Sequence, residues 1–232
     1  MNTLHKVGGI AALICAATYL LAIGLVATLL TPMLDDSLTF AQFMAFYTPH
    51  QSLVYIWHFS MYLVNGTSLA LLALALYQHL KTSAPALALV SACFGLIWTV
   101  LVFASGFISL YGYDAFAKLA VTDPNQAAAL RLMVSTITNG IDSSDRFLGS
   151  LWLLLSSLTA LRVRLLARPL NYFGLFIGSV GILSSLAPAL TALGLAFGVE
   201  ILVWWIWLGI VMLRSPQKQT VMAFSELRTT TP

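Results

Sequence analysis

Several stretches of this chain hold close to or more than 20 consecutive apolar residues, the first running from Gly8 to Leu30. A helix needs about 20 residues to cross a hydrocarbon layer of roughly 30 Å, at about 1.5 Å of rise per residue. A transmembrane barrel would instead show alternating segments of about 10 residues. Those are absent. In lipid only helices or a closed barrel satisfy the backbone polar groups, so the runs predict helices. Composition agrees, because 59% of the 232 residues are hydrophobic and 8% charged, against roughly a quarter charged in a soluble domain. The expected fold is all-α: a polytopic membrane helical bundle of about six transmembrane helices.

The expected spans cover about residues 9–30, 53–80, 86–110, 142–163, 172–190 and 195–213, in a single transmembrane domain over residues 1–214 with a short cytoplasmic tail at 215–232. The first run exceeds the 7–15 residues of a signal-peptide core, so it reads as an uncleaved span. Leu38 to Tyr47 reads as a short interfacial helix or tucked loop. Asp123-Pro124 has the chemistry of a helix start, an acidic cap followed by proline in the first turn. The helix begun there would be nearly twice a membrane thickness if it reached Val163. A break near Asn139-Gly140 is therefore expected, with the segment before it lying on the outer surface.

Charge sets the expected orientation. With odd-numbered spans leaving the cytoplasm, Lys6, Lys81, Arg162, Arg164, Arg168, Arg214, Lys218 and Arg228 fall inside, and Lys118, Arg131 and Arg146 outside. The bias predicts that both termini are cytoplasmic. The formal charge of +3 is too weak and scattered for nucleic acid, which is not an expected partner.

Glu200 is the most informative polar residue, since it lies well inside the last span. Acids at that depth face a bundle interior, a cavity or a partner, and the expected partners are Arg146 or Arg131. On span two, His58, Tyr62 and Asn65 follow a spacing of four and then three, which predicts one polar stripe. The stripe reads either as a pocket lining or as hydrogen bonding between helices. At the head of span four, Asn139, Asp142 and Asp145 repeat every three residues, with Arg146 beyond them. These charges either pair with one another at the interface or complete a pocket with His58 and Glu200.

The same groups raise the question of a cation, for which His50, His58 and Glu200 are the candidate ligands. No H-E-x-x-H, Glu-x-x-His or H-x-x-x-H spacing occurs, so no metal is assigned. No nucleotide, haem or hydrolase motif appears either, and no cofactor is expected. Cys15 and Cys93 sit in apolar runs without C-x-x-C spacing and read as small buried packing residues. Trp98, Trp152, Trp204, Trp205 and Trp207 read as belt and packing residues. Gly174, Gly178 and Gly181 read as a surface for close helix approach.

Phe147-Leu148-Gly149, Asn171-Tyr172-Phe173-Gly174, Gly198-x-Glu200 and Trp207-Leu208 are motifs by which the chain, over about residues 145–213, resembles a bacterial family of six-span inner-membrane proteins. That family is described only as a domain of unknown function. The chain departs from its pattern in carrying Pro169 slightly early and in a glutamate-to-tryptophan interval one residue longer. The resemblance implies six spans and a recurrent glutamate at Glu200, and it transfers no substrate or catalytic residue.

Three functions fit these residues. The first is binding of a lipid or other small amphiphilic ligand in an outward-facing pocket built from His58, Tyr62, Asn65, Asp142, Asp145, Arg146 and Glu200. The second is a membrane-embedded enzyme using His58 and the outer carboxylates. The third is a non-catalytic subunit of a larger membrane complex or a homo-oligomer. A carrier is disfavoured by the lack of an internal repeat. The expected location is the bacterial inner membrane, as a multi-pass protein surrounded by membrane lipids.

Overall fold

The computed structural model describes residues 2–35, 37–186 and 191–214, and among these all regular structure is helical. Helix α1 spans Asn2–Thr28, α2 Phe40–His58, α3 Asn65–Leu80, α4 Pro85–Leu119, α5 Pro124–Arg162, α6 Arg168–Leu186 and α7 Thr191–Arg214. A π-helical segment, Phe59–Val64, joins α2 to α3 without a break, so the two form one helix of 41 residues. Among the described residues five helices are long and apolar enough to cross a membrane: α1, the joined α2–α3, α4, α6 and α7. Against the expectation of about six, five meet that measure, and α5 falls short of it because the charged residues Asp142, Asp145, Arg146 and Arg162 flank its apolar run.

Other boundaries also differ from expectation. Leu38 to Tyr47 is neither a separate interfacial helix nor a loop. Thr39 and Gln42 form a capping box, the Gln42 amide donating to Thr39 Oγ1 at 3.3 Å while Gln42 Oε1 accepts from the Thr39 amide at 2.9 Å. The chain is helical from Phe40 onward. Asp123 caps α5 as expected, accepting from the amides of Asn125 and Gln126 at 3.1 and 3.0 Å. The expected break at Asn139-Gly140 is not there, and α5 runs through it for 39 residues. Ser143 and Ser144 donate to the carbonyls of Asn139 and Gly140, and α4 lies alongside. The last residues of the expected fifth span, 187–190, and the tail lie outside the described residues.

The helix ends sort by charge. The rings of His5 and His79 lie 4.9 Å apart, bringing the start of α1 to the end of α3. Leu80, Ala88 and Ala160 pack together, adding the start of α4 and the end of α5. Gly8 and Gly9 abut Met212 and Leu213, which adds the end of α7. Lys6, Lys81, Arg162 and Arg214 thus share one end, the basic face. Arg164 and Leu166, with φ of 54° and 61°, make the tight turn from α5 into α6 there, and Asn171 Nδ2 holds it by donating to the Leu165 carbonyl at 3.1 Å.

The opposite end is capped. At about 1.5 Å per residue the joined α2–α3 measures roughly 60 Å, α5 nearly the same and α4 about 50 Å, all longer than a bilayer is thick. Their far ends build a second core from Phe43, Tyr47, Val54, Phe116 and Ala127, which also takes in Leu30.

The main core is held by small residues under large rings. A Cβ on Gly95 would meet the Trp152 ring at 2.7 Å, and one on Gly149 would meet the Trp98 ring at 2.6 Å, so α4 and α5 each receive the other's tryptophan. Gly174, Gly178 and Gly181 bring α6 against Ser157, Leu154 and Ser150 of α5, which is the close approach read from their spacing. Trp98, Trp152, Trp204 and Trp205 are interior packing residues rather than belt residues. Cys15 is buried, but Cys93 is exposed on α4, which corrects its reading as a buried residue.

Candidate functional site

Between the main core and the cap lie two adjoining cavities. The larger, about 720 Å³, is bounded by Val26, Phe43, Trp57, His58 and Arg131 among others. The smaller, about 190 Å³, lies beside Tyr19, Asn65, Trp98, Asp145 and Arg146. Tyr62 and Asp142 line both and form the shared wall.

The π-segment decides which residue meets which cavity. A π-turn accommodates about one extra residue, and one residue is worth about 100° of an α-helix. The expected stripe of His58, Tyr62 and Asn65 is therefore split. His58 faces the large cavity, Asn65 the small one, and Tyr62, inside the π-segment, reaches both. Gly106 on α4 makes room for this, since a Cβ there would meet the Tyr62 Cγ at 2.6 Å.

Each side chain is held locally. His58 Nδ1 lies 2.8 Å from the Val54 carbonyl. A carbonyl only accepts, so Nδ1 carries the proton in the neutral ring and Nε2 keeps its lone pair. The ring sits among Trp57, Tyr62 and Tyr113 at centroid distances of 4.8, 5.6 and 5.2 Å. Asn65 Nδ2 donates to Thr18 Oγ1 at 2.8 Å and to the Cys15 carbonyl at 3.3 Å, tying α3 to α1. Asp142 accepts from Ser105 Oγ at 2.5 Å, across from α5 to α4. The Arg146 guanidinium lies against Gly194, where a Cβ would come within 2.8 Å of Nη1.

Six of the seven candidates thus line the cavities, and Glu200 does not. On α7 it shares a stripe with Trp204 and Trp207, spaced four and three, and Trp204 and Trp207 touch Gly174 and Phe173 of α6. Glu200 is half-buried there, and its Oε2 is buried without a hydrogen-bond partner among the described residues. The expected pairing with Arg146 or Arg131 is corrected: among the described residues the salt bridge is Lys118–Asp114, at 2.7 Å. Arg131 instead lies over the Phe43 ring, 3.7 Å from its centroid. His50, His58 and Glu200 do not gather, and among the described residues no three His, Cys, Asp or Glu side chains come together to hold a metal.

Glu200→Gln therefore strands no cation. Its expected effect on a thermal melt in detergent is within about 1 kcal/mol. A loss of about 3–5 kcal/mol, as for a broken buried ion pair, would contradict the geometry.

The sequence reading passed over several lining residues. Ser105, Ser109 and Tyr113 recur every four residues on α4, a legible polar stripe whose middle and last members line the large cavity. Tyr19 gave no signal beyond being an aromatic in an apolar run.

A family model for a domain of unknown function (DUF4386) matches residues 7–214. The chain belongs to this family. Membership covers nearly the whole bundle, which corrects the resemblance confined to residues 145–213 and its C-terminal half. Both cavities of this DUF4386 member lie inside the matched region. No curated protein and no solved structure matches the chain.

Proposed function

We propose that this protein binds a small amphiphilic ligand, a lipid or a molecule of similar build, in the large cavity. The observation that carries the reading is the cavity itself. Its volume of about 720 Å³ falls in the range of roughly 300–1,000 Å³ usual for small-molecule sites. Phe43, Trp57 and Phe116 offer apolar surface, while His58, Tyr62, Arg131, Asn139 and Asp142 supply polar groups. Such a lining suits a molecule with one apolar part and one polar part.

Native mass spectrometry of gently extracted protein should show a bound amphiphile. Ser135→Trp, which places a ring in the cavity from a half-buried position on α5, should remove that adduct while the bundle still melts cooperatively. Bare wild-type protein under conditions that retain annular lipid would overturn the reading.

We further propose that the basic face lies in the cytoplasm of a bacterial inner membrane, so that the cavities open outward. The support is the excess of Lys and Arg at that face. In a background lacking Cys15 and Cys93, a cysteine at Lys118 should react with an impermeant reagent added from outside and one at Lys81 should not. The reverse pattern would invert the topology.

A further inference from the structure

We infer that the small cavity is the head-group subsite of the proposed amphiphile site and takes a protonated amine. The inference rests on the ligand-binding reading above and names the chemical class it left open.

The small cavity is an unusual mixture. Tyr19, Tyr62, Trp98 and Phe197 give it aromatic walls, and Asp142, Asp145 and Arg146 place two acids and one base around about 190 Å³. Asp142 and Arg146 stand at i and i+4, the spacing at which an acid and a base on one helix normally pair. Yet among the described residues no oxygen of Asp142 or Asp145 lies within 4 Å of the guanidinium. Arg146 is directed instead toward Gly194 at the start of α7. Asp142 is partnered by Ser105, whereas Asp145 accepts no hydrogen bond from any described residue.

An acid removed from bulk water is costly as a bare anion and is relieved by a proton or by a counter-charge. With one base for two acids, the cavity has a place for one more positive charge, which a ligand ammonium would bring. The aromatic walls favour an organic cation, because an ammonium gains from ring faces within about 6 Å, and a bare metal ion would find fewer oxygen ligands than it needs. The shared wall at Tyr62 and Asp142 fixes the polarity of binding. The amine lies beside Asp145, and the apolar part extends past His58 into the large cavity.

The experiment uses the full chain in nanodiscs of a neutral lipid and three probes of equal tail length: octylamine, octanol and nonanoate. Thermal melts should shift upward and saturate with octylamine and not with the other two. Asp145→Asn should raise the octylamine midpoint concentration by about tenfold or more, and Arg146→Gln, which removes the competing cation, should lower it. Should Asp145→Asn fail to fold, the wild-type comparison of the three heads still decides. Equal saturable binding of octanol and octylamine would overturn the head-group inference and leave the amphiphile site standing. Stabilisation by sodium chloride to the same extent, without dependence on the tail, would overturn it in favour of an inorganic cation. No saturation by any probe, with no adduct on the extracted protein, would overturn both.

Discussion

Gly149→Val is expected to lower stability by about 3 kcal/mol, the upper part of the usual range for forcing extra atoms into a packed interior. The new side chain would start too close to the Trp98 ring, its Cβ 2.6 Å from Cε2. Trp98 cannot retreat easily, since its ring already packs against Trp152 at 5.6 Å and Trp205 at 6.3 Å between centroids. Denaturation in mixed micelles measures the loss. Shrinking the obstacle with Trp98→Leu should restore part of it, so that the double variant is more stable than the sum of the two single changes allows. A Gly149→Val protein that unfolds like wild type would mean that α4 and α5 do not interlock in this register.

Inserting one alanine after Met61 should have a larger effect and a different pattern. Met61 lies in the π-segment, whose wide turn already takes up one extra residue while its flanks keep their phase. A second extra residue turns everything before it by about 100° relative to α3. Phe43, Tyr47 and Val54, each about 1% exposed, would swing out of the cap core. At about 1.5–3 kcal/mol for each large apolar side chain, the cap should lose on the order of 5 kcal/mol. The main core of α1, α3, α4, α5, α6 and α7 does not depend on that phase and should persist. Limited proteolysis should therefore cut α2 and the start of α5 while the remaining bundle survives, and deletion of Met61, which leaves the flanks in phase, should be protected like wild type. Equal protection of the insertion variant would show that α2 can be seated in either phase.

The membrane spans were legible because lipid imposes a minimum apolar length that few other constraints imitate. What lay beyond them was harder to read. Asn139 and Gly140 look like helix breakers in isolation, but Ser143 and Ser144 turn back onto their carbonyls, and packing along α4 outweighs the roughly 1 kcal/mol that a glycine costs a helix. The capping box at Thr39 and Gln42 was visible in the sequence and marks a helix start that the flanking aromatics obscured. The π-segment has no compositional mark, so periodicity placed His58 and Asn65 on one face when they serve different cavities. Most of the candidate polar residues nevertheless converge. A polar side chain inside a membrane bundle is costly unless other polar groups or water meet it, and that constraint draws them together whatever the local phase. Glu200 is the exception, placed by the α7 stripe that meets α6 and not by other charges.

Helix length has a consequence for the surrounding membrane. The described α6 has 19 residues, about 28 Å of helix, and it begins at the charged Arg168. Its longer neighbours can meet a thick bilayer by standing upright and a thin one by leaning, whereas the described length of α6 only just spans about 30 Å. It sets the hydrocarbon thickness at which the bundle is at ease, near or slightly below 30 Å. In acyl chains much longer than that, lipid beside α6 must compress while lipid beside α4 need not, so the annulus around this protein would be uneven in height from one flank to the other.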